Sequence, residues 1–155
     1  MLIWKILLSA ILSFLPIVEL RGGIPFAILS GLNPWYSFLL CVCVNILITP
    51  FVFFFLDKLH CKLIKYKFYK KTVNVILKKA EKRSKKIKKK INKYSLLALA
   101  IFVAIPLPGT GAWTGSIISW LLKLNRKKSF LAISLGVIIA GLLITLALTG
   151  IISLF

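Results

Sequence analysis

LLALAIFVAIPLPGTGAWTGSIISWLL, residues 96–122, decides how the chain folds. Its 27 residues carry no charge, and a helix needs only about 20 apolar residues to cross a bilayer. Yet Pro106-Leu107-Pro108-Gly109-Thr110-Gly111 sits in the middle, and prolines and glycines at that density break a helix. The apolar flanks, Leu96 to Ile105 and Ala112 to Leu122, each cover about 15–17 Å, half the hydrocarbon thickness. Either the stretch is one kinked span, or it is a re-entrant hairpin that enters the membrane, turns near mid-depth and leaves on the same side.

Loop charge favours the hairpin. Residues 57–93 hold sixteen basic residues against Asp57 and Glu81, net +14, and Lys123-Leu124-Asn125-Arg126-Lys127-Lys128 follows the stretch. Cytoplasmic loops are enriched in Lys and Arg. Both flanking loops therefore belong in the cytoplasm, and only a hairpin puts them there together. The first half shows the same pattern. Leu2 to Val18 is apolar apart from Lys5, then come Glu19-Leu20-Arg21-Gly22-Gly23-Ile24-Pro25 and the short apolar run Phe26 to Leu32. Here the outgoing half-helix is expected to begin near Gly23–Ile24, and in the second half near Gly111–Ala112. Trp35 to Leu56 (22 residues) and Ser129 to Phe155 (27 residues) are charge-free and long enough to span.

The predicted fold is thus an all-α integral membrane protein. It has two transmembrane helices, two re-entrant helical hairpins arranged as an inverted repeat, and a basic amphipathic cytoplasmic helix. Residues 1–56 form the first membrane repeat, 57–93 the basic segment and 94–155 the second repeat. Working back from the cytoplasmic segment, the N-terminus lies outside. A cleaved signal peptide in residues 1–15 is disfavoured, because no clean A-x-A site follows. Composition agrees: of 155 residues, 59% are hydrophobic, the net charge is +19 and the mean hydropathy is +0.95. Neither a soluble domain nor a disordered chain combines those values.

Glu19 and Arg21 are the ionisable residues inside an apolar block away from its ends. A charge there costs at least about 2.5–3.5 kcal/mol to insert, so each faces a partner or an aqueous cavity. Either they pair locally to hold a turn, or they serve a site; burial and the guanidinium pull the protonation of Glu19 in opposite directions. Two outgoing half-helices with N-termini at mid-depth offer free N–H groups to an anion. The candidate site is therefore Glu19 for a proton or cation, and Arg21 with Gly22, Gly23, Gly109 and Gly111 for an anionic group, with Pro25 and Pro108 as further site residues in the same two motifs. Thr110, Thr114 and Trp113 would add hydroxyl and stacking contacts, apolar packing or interfacial anchoring being the other reading of Trp113. Asn45, mid-span, either bonds a neighbouring helix or lines the cavity. Ser134, Gly136, Ala140 and Gly141 read as helix interface.

The basic segment carries a stripe at Val73, Leu77, Ala80, Ser84, Ile87, Ile91 and Tyr94, the spacing of an amphipathic helix. Residues 58–93 should lie on anionic lipid, ahead of a contact with a second copy; a homodimer fits a chain this small. No zinc, RNP or helix-turn-helix pattern supports nucleic-acid binding. Cys41, Cys43, His60 and Cys61 form no metal site, no cofactor is expected, and no Ser/His or Cys/His arrangement suggests an enzyme.

The two motifs, Glu19 to Pro25 and Ile105-Pro106-Leu107-Pro108-Gly109-Thr110-Gly111-Ala112-Trp113-Thr114-Gly115, resemble those of the putative small multidrug export protein family. That family is similar to the DedA-like superfamily of multi-pass proteins with two facing re-entrant loops, some of which move lipid phosphates. The resemblance implies a transporter or flippase in a prokaryotic cell membrane, acting on a small amphipathic or lipid-phosphate substrate. The acid and arginine of the first DedA loop would fall on Glu19 and Arg21; the arginines of the second are absent from Pro108 to Gly115. The competing functional classes are a membrane scaffold acting through the basic helix and a small dimeric ion channel.

Overall fold

The computed structural model describes residues 2–63 and 88–154. Among these, every element is helical: α1 (Leu2–Phe14), α2 (Glu19–Leu29), α3 (Pro34–Leu63), α4 (Lys88–Ala104), α5 (Ala112–Leu121) and α6 (Arg126–Ile152). The stripe residues Val73, Leu77, Ala80, Ser84 and Ile87 lie outside the described residues. Two helices are long and apolar enough to cross a membrane, Pro34–Lys58 within α3 and Arg126–Ile152, which is α6. Both start at an asparagine cap: Asn33 Oδ1 accepts from the Trp35 N–H (2.9 Å) and Asn125 Oδ1 from the Lys128 N–H (3.2 Å). Each follows two short helices, so the order short, short, long occurs twice.

The first break is not where the sequence suggested. It falls at Leu15 to Val18, around Pro16, and α2 runs from Glu19 straight through Gly22, Gly23 and Pro25. The glycines serve packing instead of breaking the helix. A Cβ on Gly23 would overlap the Ser13 hydroxyl and come within 3.1 Å of the Ser9 carbonyl, so its absence lets α2 lie directly on α1. Pro25 is seventh in the helix, and only the Arg21 carbonyl loses a partner to it. The second break is where the prolines put it: α5 begins at Ala112. Pro108 and Gly109 occupy the centre of a turn closed by the Thr110 N–H on the Leu107 carbonyl (3.1 Å). Gly109 has φ +84° there, a left-handed value that glycine adopts without steric cost.

Contacts at three levels fix how the helices stack. At one end Lys5 Nζ donates to the Ser30 carbonyl (2.5 Å), joining the open ends of α1 and α2. Residues of the α2–α3 turn, including Gly31 and Asn33, border a cavity with Thr149 and Ser153 at the C-terminal end of α6. At the other end Arg126 makes a two-pronged ion pair with Asp57 (2.6 and 2.8 Å), and Trp120 Nε1 donates to the same carboxylate (2.9 Å). The end of α3, the end of α5 and the start of α6 are thus tied together. Between these levels α3 and α6 cross closely: a Cβ on Gly141 would meet Val42 at 2.7 Å and Phe38 at 3.0 Å. Gly136 similarly admits α4, through the Ala100 carbonyl and Val103.

Candidate functional site

Glu19 is the centre of the middle level. It is 8% exposed and opens α2 with φ +47°, a left-handed conformation that costs a non-glycine residue roughly 1–2 kcal/mol. Such strain persists only where the surroundings impose it. Here they do: Glu19 Oε1 accepts from the Trp113 N–H (3.2 Å), in the first turn of α5. Gly111, the residue before that helix, makes this approach feasible, because a Cβ there would overlap the carboxylate itself. The carboxylate therefore fills the positive end of α5, where a partly buried anion gains up to about 2 kcal/mol.

The neighbouring contacts knit the two breaks further. Arg21 Nη2 donates to Thr110 Oγ1 (3.1 Å). Thr110 Oγ1 also accepts from the Leu107 N–H (3.1 Å) and stands 2.6 Å from the Ile105 carbonyl, holding the PLPG turn. Trp113 Nε1 donates to the Phe14 carbonyl at the end of α1 (2.9 Å). The Trp113 ring meets Phe14 and Phe51 edge-on, with centroids 5.9 and 6.2 Å apart. Asn45 Nδ2 donates to the Ser13 carbonyl (2.8 Å), fixing the first break against α3.

A cavity of about 10 Å³ opens among Glu19, Arg21, Asn45, Thr110 and Gly111, closed by Val137 and Ala140 of α6. Asn45 stands at the middle of Pro34–Lys58, and Val137 and Ala140 at the middle of α6. The cavity thus lies at mid-height of both long helices. Of the residues singled out in the sequence, Glu19, Arg21, Asn45, Thr110 and Gly111 line it. Trp113 holds Glu19 through its backbone and Phe14 through its indole, and Thr114 follows it on α5, partly exposed. Gly22 and Gly23 lie in α2 and belong to the seam with Val18 and α1. Pro25 is within α2, while Pro108 and Gly109 are exposed on the turn.

Two parts of the arrangement were not read from the sequence. One is that the acid, and not an outside anion, occupies the α5 N-terminus. The other is the Asp57–Arg126–Trp120 cluster, whose signal was an acid directly after one charge-free run and an arginine opening the basic triplet before another. With the two partners 37% and 61% exposed, that ion pair contributes no more than about 1 kcal/mol. Among the described residues no group of three or more His, Cys, Asp or Glu could hold a metal ion.

A sequence model of the family described as putative small multi-drug export protein matches residues 19–143. The match begins at Glu19, directly after the first break, and takes in the second break and most of α6. No curated protein and no solved structure matches the chain.

Proposed function

Because the chain belongs to the putative small multi-drug export protein family, we propose that it moves small amphipathic molecules across a prokaryotic cell membrane, with Glu19 as the proton-carrying group. The path runs between the two helix breaks. In this reading α1–α2 and α4–α5 are re-entrant hairpins entering from opposite faces, the two halves being an inverted repeat. The pairing of ends supports it: Lys5 with Ser30 at one level, Asp57 with Arg126 at the other, and the breaks meeting between. Broken backbone at membrane depth is tolerated where it lines a cavity in the protein. The basic segment then lies in the cytoplasm, where each Lys near anionic lipid adds about 1 kcal/mol.

The observation that carries the proposal is the buried Glu19 carboxylate on the Trp113 N–H. As an anion it clasps the two breaks together. Protonation removes the charge that the α5 end attracts, so the clasp weakens and the breaks part; deprotonation restores it. Proton binding is thereby coupled to access.

The likeness to DedA-like proteins raises a lipid phosphate as substrate. The α5 N-terminus, the natural phosphate seat, already holds Glu19, and among the described residues Arg21 is the one cationic residue on the cavity wall. The site therefore suits an amphipathic molecule better than a phosphate. The test is a proteoliposome assay under an imposed pH gradient, with ethidium and a labelled lipid phosphate as alternative probes. Gradient-driven ethidium movement lost in Glu19→Gln supports the proposal. Movement of neither probe by the wild type, or undiminished movement by Glu19→Gln, overturns it.

A further inference from the structure

Asn45 is 1% exposed, and its amide is half used. The Ser13 carbonyl can only accept, so Nδ2 must face it, as it does at 2.8 Å. That orientation turns Oδ1 the other way, where no partner reaches it among the described residues. A buried acceptor left without a partner is destabilising, and Asn45 lines the same small cavity as Glu19. A cavity of about 10 Å³ has room for roughly one water molecule.

Asn45 and Glu19 both line this space, and two acceptors beside it call for a ligand that donates twice. A metal cation would also satisfy both oxygens, but the Arg21 guanidinium is in the same wall and repels it. We infer that the cavity is a binding site for a single water, which donates to Asn45 Oδ1 and to the Glu19 carboxylate and bridges α3 to α2. Arg21, also on the wall, is a donor that the water oxygen can accept from. The site deepens the proposed function and rests on it in one respect: the bridging water is the immediate proton donor to Glu19. In that step a hydronium O–H bond breaks, a carboxyl O–H bond forms, and the water stays in place. Asn45 is accordingly a positioning residue for the proton and makes no contact with substrate.

The experiment has two arms. The first is a crystal structure of the wild type and of Ala140→Val, which fills the cavity from α6 without touching the Asn45–Ser13 bond. The second is infrared difference spectroscopy of the pH response in wild type, Glu19→Gln, Asn45→Leu and Ala140→Val. The expected results are ordered density within about 3.2 Å of both oxygens in the wild type, gone in Ala140→Val, and a Glu19 carboxyl band displaced in both cavity variants. Should Asn45→Leu fail to fold, Ala140→Val alone decides. Absence of density between the two oxygens in the wild type, or a carboxyl band that neither variant moves, overturns the water site. If density is present but the wild type transports nothing, the site stands and the transport proposal falls.

Discussion

Gly111→Ala tests whether the Glu19 carboxylate clasps the α5 N-terminus. Gly111 has φ −129° and ψ −164°, extended values that alanine adopts freely, so no backbone strain enters. The whole effect is steric: the added methyl lands on the carboxylate and drives it off the Trp113 N–H. A hydrogen bond to a charged group contributes about 1.5–3 kcal/mol, and replacing glycine by alanine at a helix N-cap adds about 0.5–1 kcal/mol. The expected destabilisation is about 2–4 kcal/mol, read from unfolding of the detergent-solubilised protein. The decisive comparison is the same substitution on a Glu19→Ala background, where no carboxylate remains to be displaced. There it should cost only the cap, about 0.5–1 kcal/mol. Equal costs in the two backgrounds would show that Gly111 matters for some reason other than Glu19, and the clasp would be refuted.

Gly23→Ala should destabilise the α1–α2 seam, and Ser13→Ala should recover part of the loss by removing the hydroxyl that the new methyl meets; unfolding of the single and double variants checks this. Gly150, with open space around it inside α6, is the contrast, and Gly150→Ala should leave stability unchanged or raise it by up to about 1 kcal/mol. Arg126→Ala should cost less than about 1 kcal/mol, and the loss should shrink at high salt, because both partners are solvated. Trp113 fluorescence, with Trp4, Trp35 and Trp120 replaced by Phe, should change as pH falls through the Glu19 titration. The clasp is a property of the carboxylate, present above that titration and lost below it. Arg21, the Trp113 N–H, Asn45 and Thr110 are the charged and polar groups that face it; Glu19→Gln should abolish the change.

How far the sequence revealed this arrangement depends on the kind of signal. The long helices were legible because a charge-free run above 20 residues has few other uses, and their positions differ from the expectation by only a few residues. PLPGTG was legible because two prolines and a glycine in four positions leave no helical hydrogen bonding to continue. Glu19 to Pro25 misled for the opposite reason. Gly22 and Gly23 have the composition of a break, but a glycine pressed against another helix offsets its entropic cost by close packing. The true break rests on Pro16 alone, inside an otherwise apolar run. Glu19 was picked out correctly as a charge in the wrong environment, yet its partner is a backbone N–H 94 residues away, and local pattern carries no trace of such a pairing. The same distance problem hid Asp57 with Arg126, each of which reads alone as an ordinary span-end charge.

Everything in the functional reading depends on the two breaks entering from opposite faces of one membrane. The direct measurement is labelling of single cysteines at Asn33 and Asn125, in a chain whose Cys41, Cys43 and Cys61 have been replaced by serine, with a reagent that does not cross the membrane. Asn33→Cys should react from outside intact cells, and Asn125→Cys only after the membrane is opened. Reaction of both from the same side would contradict the account.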